Sequence, residues 1–168
     1  GGMGICVSLS GLASAVANEG GIGVISAVGI GMLEPNYRKK FPQSNKIALT
    51  KEIRKAREKS DGIIGVNIMM AITDFDDLLQ IALEENVDVV FIGAGLFLKK
   101  PEMPEGCTTK FVPKVSTARA AQVMFRYWAS KYNRVPDAVV VEGPKCGGHV
   151  GFKKEELLGD QKPLNELI

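Results

Sequence analysis

The sequence predicts an α/β fold built on a parallel sheet covered on both faces. Three observations point there. Short apolar runs alternate with longer amphipathic segments along the chain. The apolar runs are nearly continuous, as expected of strands buried on both faces. Nineteen glycines gather beside those runs, where a strand would turn into a helix.

The elements follow in order. Ser10 is positioned to cap a first helix from Gly11 to Asn18, which stops at Gly20-Gly21. Gly21 to Ser26 reads as a buried strand. A polar stretch from Gly31 to Gln43 follows, and its Glu34-Pro35-Asn36 predicts a turn or a new helix start. Ser44 to Lys59 is helical in pattern, with Ile47, Leu49, Ile53 and Ala56 between basic residues. The second strand is Ile63 to Met69. Thr73-Asp74 opens a helix to about Asn86, with acids in its first turn. Val87 to Ile92 is a third strand, closed by Gly93-Ala94-Gly95. Lys110 to Val115 is a fourth. A helix capped by Ser116 or Thr117 runs on to Tyr132. Ala138 to Glu142 is the fifth strand.

Five βα units in one frame, with no linker or low-complexity stretch, predict a single domain or part of one. The opening Gly1-Gly2-Met3-Gly4 reads as a loop after a strand, and the final Pro163 to Ile168 as the start of an amphipathic segment. A closed β/α barrel needs eight strands and about 250 residues. The length equally allows a complete open five-stranded sheet of the flavodoxin kind.

Composition narrows the function classes. The 168 residues are 45% hydrophobic and 24% charged, ordinary for a soluble globular protein. A net charge of +2 gives no electrostatic case for nucleic acid or membrane as partner. Cys6, Cys107 and Cys146 form no CxxC pair, which argues against a disulfide framework or a zinc site and fits a reducing cytoplasm. No apolar run reaches membrane-spanning length, and no basic-then-apolar leader is visible.

The chemistry-bearing motif is Cys146-Gly147-Gly148-His149-Val150-Gly151-Phe152, which contains the single histidine. It lies just past the fifth strand, at the sheet edge where parallel α/β folds gather ligands. A histidine there can serve as acid, base or hydrogen-bond donor to an anion, or sit as an exposed loop residue. Asn67, among Val66, Ile68 and Met69, is either a buried amide that needs a partner or a strand-ending turn residue. Lys114 at a strand end is a ligand-facing cation or a snorkelling surface lysine. Glu142 orients the glycine loop or faces solvent. Cys146 has no second base nearby in sequence, so packing is preferred over a nucleophile. The opening glycine loop, the small-residue helix Leu12 to Asn18 and the strand Gly21 to Ile25 do not place GxGxxG after a visible strand, so no dinucleotide fingerprint is assigned.

Taken together, the opening motif, Gly65-Val66-Asn67-Ile68-Met69, Val112-Pro113-Lys114-Val115-Ser116 and Glu142 to Gly151 make the chain resemble the nitronate monooxygenases, formerly 2-nitropropane dioxygenases. It is also similar to their relatives, the FMN-dependent enoyl-acyl-carrier-protein reductases. The resemblance covers essentially all 168 residues. It implies part of a TIM-type (β/α)8 barrel, an incomplete FMN-binding domain over 1–168 lacking its first strand and last two strands. It implies FMN as cofactor, with Gly2, Met3 and Gly4 against the flavin, and Asn67 and Lys114 as contacts. Glu142 belongs to the same flavin-side set, and Gly147 and Gly148 leave room for substrate and flavin. His149 matches the active-site histidine. The implied reaction is oxidation of nitronates or nitroalkanes with O2 to carbonyl compounds and nitrite. The alternatives are NAD(P)H-dependent reduction of an enoyl thioester and a flavin-binding or assembly protein without turnover. The expected partners are a small-molecule substrate and O2, and a homo-oligomer is compatible. Pro144-Lys145 departs from the family's usual Met-Glu or Thr-Glu, and Cys146 from its usual small residue, which leaves the substrate open.

Overall fold

The computed structural model describes residues 2–148, 151–159 and 163–166. Five strands form one parallel sheet in the order β1-β2-β3-β4-β5: β1 Gly23–Ser26, β2 Ile64–Met69, β3 Val89–Gly93, β4 Lys110–Val115 and β5 Val140–Val141. Helices α1 Ser10–Asn18, α2 Phe41–Lys59, α3 Phe75–Glu84, α4 Ala118–Tyr132 and α5 Lys154–Leu158 complete the set. Strand order equals chain order, as in a β/α barrel: α2, α3 and α4 make the β1–β2, β2–β3 and β4–β5 crossovers, and a segment without a helix joins β3 to β4.

The strands' alternation gives the sheet two unlike faces. Ile25, Ile64, Val66, Ile68, Val90, Ile92 and Phe111 point to one face and are fully buried. They pack against Ala13 and Ala17 of α1, Leu49 and Ile53 of α2, Leu78 and Leu83 of α3, and Met124 and Trp128 of α4. The small-residue helix comes as close to the sheet as its sequence suggests. A side chain on Gly23 would collide with the backbone of Ala13, and one on Gly62 with that of Ala17. The long segment between β3 and β4 is anchored by Phe97, whose carbonyl accepts a 2.7 Å hydrogen bond from the Trp128 indole N–H. Phe97, Phe111 and Trp128 stack with ring centroids 5.3 to 5.9 Å apart.

Several local expectations are corrected. Ser10 is not a cap: Leu9 holds the cap position, and the Ser10 N–H donates to Glu52 Oε2 on α2 at 2.9 Å. A carboxylate 42 residues away thus satisfies an orphan donor of the first turn. Helix α2 begins at Phe41, three residues before the expected Ser44, because Pro42 fits its first turn. The polar stretch before it forms two 3-10 turns, Ile30–Leu33 and Tyr37–Lys39, with Asn36 left-handed at φ 60°. Strand β5 pairs over two residues only, against the five expected. Thr117, of the two suggested caps for α4, accepts from the Ala120 N–H. No helix among the described residues is long and apolar enough to cross a membrane.

Candidate functional site

The second sheet face carries the polar groups. Register places Val24 beside Gly65, Ser26 beside Asn67, Asn67 beside Phe91, and Phe91 beside Val112. Lys114 pairs with Val140. These residues share the face away from α1–α4, and towards the carboxyl edge it bears Ser26, Asn67, Lys114 and Glu142. That is the edge at which parallel α/β proteins bind ligands.

The opening loop folds over this edge. Ser8 N–H donates to the Met3 carbonyl and Met3 N–H to Ser8 Oγ, both at 3.0 Å. Ile5 N–H reaches the Val28 carbonyl at 2.8 Å, and Ser26 N–H the Ser8 carbonyl at 2.9 Å. Consecutive left-handed residues, Ile5 at φ 53° and Cys6 at 62°, tighten the loop. Gly2 then lies directly on Asn67: a Cβ there would stand 2.5 Å from Asn67 Cβ and 2.8 Å from its Cγ. Only glycine fits this approach. Gly4 sits against Val28, and the loop's Met3, Ile5 and Val7 side chains are all exposed.

Asn67 is buried, which decides between its two sequence readings: it lies within β2 and does not end it. Ser26 is buried too, and its hydroxyl has no hydrogen-bond partner. At the other end, Lys114 Nζ stands 3.9 Å from Glu142 Oε1, both side chains about three-quarters buried. A pair that long is a loose ion pair without a good hydrogen bond. Its stem crosses Gly93, where a Cβ would lie 3.3 Å from Lys114 Cδ. So Lys114 is neither a free surface lysine nor locked in place.

The glycine loop after β5 opens beside a cleft of about 520 Å³ lined by Val141, Gly143, Pro144, Lys145, Cys146, Pro163 and Leu164. Around Gly147 and Gly148 an added Cβ would meet nothing within 4 Å among the described residues, and Gly148 has φ 87°. Cys146 is exposed. His149 lies outside the described residues. The half-buried Cys6 thiol is pushed up by burial and then by the Glu52 charge, which keeps it neutral. Among the described residues no cluster of acids, histidine and cysteines could hold a metal.

Gly2, Gly4, Asn67, Lys114 and Glu142 thus lie along one edge of the sheet, with Gly2 on Asn67 and Lys114 beside Glu142. Ser26 was read only as a strand residue. Its signal was a hydroxyl at the last position of an otherwise apolar strand, which propensity cannot tell from a turn residue.

A family model described as nitronate monooxygenase matches residues 1–167. The chain belongs to the nitronate monooxygenase family. Among solved structures it is similar to FabK from Thermotoga maritima, at 31% identity and a TM-score of 0.68, covering 90% of this chain and 42% of that one. A point mutant of the same FabK gives 32% identity and a TM-score of 0.66, covering 89% and 45%. The nitronate monooxygenase family chain therefore spans less than half the length of these structures, and its five strands correspond to part of a TIM-type barrel. No curated protein matches it.

The residues fit the flavin that this resemblance implies. A buried amide with the Gly2 backbone packed on it, an unsatisfied hydroxyl in register with that amide, and a loosely paired cation offer hydrogen-bonding and charged groups for a flat, polar-edged ring.

Proposed function

We propose that this chain is part of an FMN-dependent oxidoreductase that oxidises nitronates, or the nitroalkanes they come from, to carbonyl compounds and nitrite. The observation that carries the reading is the family match across residues 1–167, on a chain whose Gly2, Asn67, Lys114 and Glu142 share one sheet edge. FMN, when bound, accepts the substrate's electrons and passes them to O2.

The chain's own residues do the rest. Gly2 and Gly4 let the flavin ring approach the backbone. The Asn67 amide holds the ring's polar edge. Lys114 brings positive charge to an anionic substrate or to electron-rich ring oxygens, and Glu142 keeps its ammonium in range. His149 takes the α-proton from a neutral nitroalkane, and the open space around Gly147 and Gly148 receives the carbon skeleton.

A second reading, NAD(P)H-dependent reduction of an enoyl thioester, is favoured by the cleft beside Cys146. About 520 Å³ with Val141, Pro144 and Leu164 on its walls is roomier than a small nitronate needs and suits an acyl chain. The test supplies the intact flavin-loaded protein with propionate 3-nitronate and O2, and separately with NADH and a crotonyl thioester. Nitrite release from the first supports the nitronate reading. NADH consumption with the second alone supports the reductase. Turnover of neither favours a flavin-binding protein without catalysis.

A further inference from the structure

Ser26 poses a question that its strand does not answer. Its residue is 2% exposed, and its Oγ is the buried side-chain polar atom without a hydrogen-bond partner among the described residues. A sealed, unsatisfied hydroxyl is unfavourable, so a buried serine with no partner calls for an account outside simple packing. The backbone N–H of Ser26 binds the Ser8 carbonyl, and Ser26 stands in register with Asn67 across the β1–β2 ladder. The side chain points to the same face as the Asn67 amide, directly beside it. Gly2 lies on that residue, so close that a Cβ there would stand 2.5 Å from Asn67 Cβ.

We propose that Ser26 is a positioning residue that acts through Asn67. The hydroxyl is sealed from solvent, so a ligand does not reach it directly. When the Asn67 amide turns to meet a ligand over the Gly2 loop, the Ser26 hydroxyl becomes its second hydrogen-bond partner and fixes which way the amide presents its oxygen and its NH2. A hydroxyl suits this task because it donates or accepts by rotating one bond. The proposal rests on the reading of Asn67 as a flavin contact.

This arrangement separates the apo and bound states. Ser26→Ala removes an unsatisfied group from the flavin-free protein, which therefore melts at the same temperature as wild type or higher. The same change weakens FMN binding about threefold to tenfold, the size of one lost hydrogen bond. In an Asn67→Ala background, Ser26→Ala has no further effect on affinity, because its intermediary is gone. FMN titration and thermal melting of the flavin-stripped intact protein, for wild type, both single variants and the double variant, read all of this. Wild-type affinity in Ser26→Ala overturns the proposal, as do additive losses in the double variant. A lower melting temperature of flavin-free Ser26→Ala also overturns it, since the hydroxyl would then have a purely structural partner. Wild-type protein that takes up no FMN overturns the parent reading and this one with it, whereas the other failures leave the flavin site standing.

Discussion

The two faces of the sheet are made by the same strands and obey different rules. The face against the helices is apolar and sealed: Ile64, Val66, Ile68, Val90, Ile92 and Phe111 have no exposure at all. The opposite face mixes Val24, Gly65 and Phe91 with Ser26, Asn67 and Lys114, and parts of it stay open. One residue along a strand separates a sealed core position from a position on the face that bears Asn67 and Lys114. The first face is held by area and fit. The second carries groups without a good partner, the Ser26 hydroxyl and the loosely paired Lys114, a departure from consistency that functional sites commonly show.

This contrast is sharpened by substitutions that should move one property and leave the other. His149→Ala in the intact enzyme should lower turnover of neutral nitroalkanes by about 10²–10⁴-fold. Preformed nitronates, which have already lost the proton, should suffer less, and the folding stability should not move. Steady-state kinetics on both substrates decide it: equal losses reduce His149 to a positioning role. On the sealed face, Trp128→Ala should cost about 3–5 kcal/mol in denaturant unfolding, since it empties a core site and leaves the Phe97 carbonyl without its donor. A loss under about 1 kcal/mol would mean that this face is not the one that holds the fold.

Lys114→Met should shift stability by less than about 1 kcal/mol, because a 3.9 Å pair with Glu142 contributes little. It should weaken binding of FMN or an anionic substrate about tenfold, as loss of a charged hydrogen bond does. Binding unchanged in calorimetry would return Lys114 to the surface. The smallest effect concerns acid. Burial alone would raise the Glu52 carboxyl, but hydrogen bonds from Lys55 and Ser10, with the Lys55 charge, outweigh it and hold the group below its usual range. A depressed carboxylate stabilises the fold above its unfolded pKa of about 4.3, and the contribution fades as pH falls through the lower folded value. Glu52→Gln should flatten that part of the stability–pH curve. A curve for Glu52→Gln that still falls as steeply as wild type below about pH 4.3 would assign acid sensitivity elsewhere.

The sealed face was largely legible in the sequence because its rules are local. Apolar runs gave all five strands, and β4 falls on its expected limits, Lys110–Val115. What the sequence hid was set by distant partners. The start of α1 depends on Glu52, which no window around Ser10 contains. Strand β5 looked five residues long from its valines, but only Val140 and Val141 pair with β4. Asp137, just before it, bonds Phe111 of β4 through its own N–H and its carboxylate, outside the ladder. The candidate site was legible through its glycines and its odd polar residues, Asn67 and Lys114. Ser26 was not, because its meaning lies in register with Asn67.

The indole of Trp128 gives the two faces a common reporter. It is the protein's single tryptophan, wholly buried and bonded to the Phe97 carbonyl. Its fluorescence therefore comes from one place, between α4 and the strands, and should shift when that layer opens to water. Tryptophan emission overlaps flavin absorption, so a ring bound on the far side of the same sheet would dim it without shifting its colour. A colour change and a loss of brightness would then distinguish unfolding from occupancy in one cuvette, with no label attached.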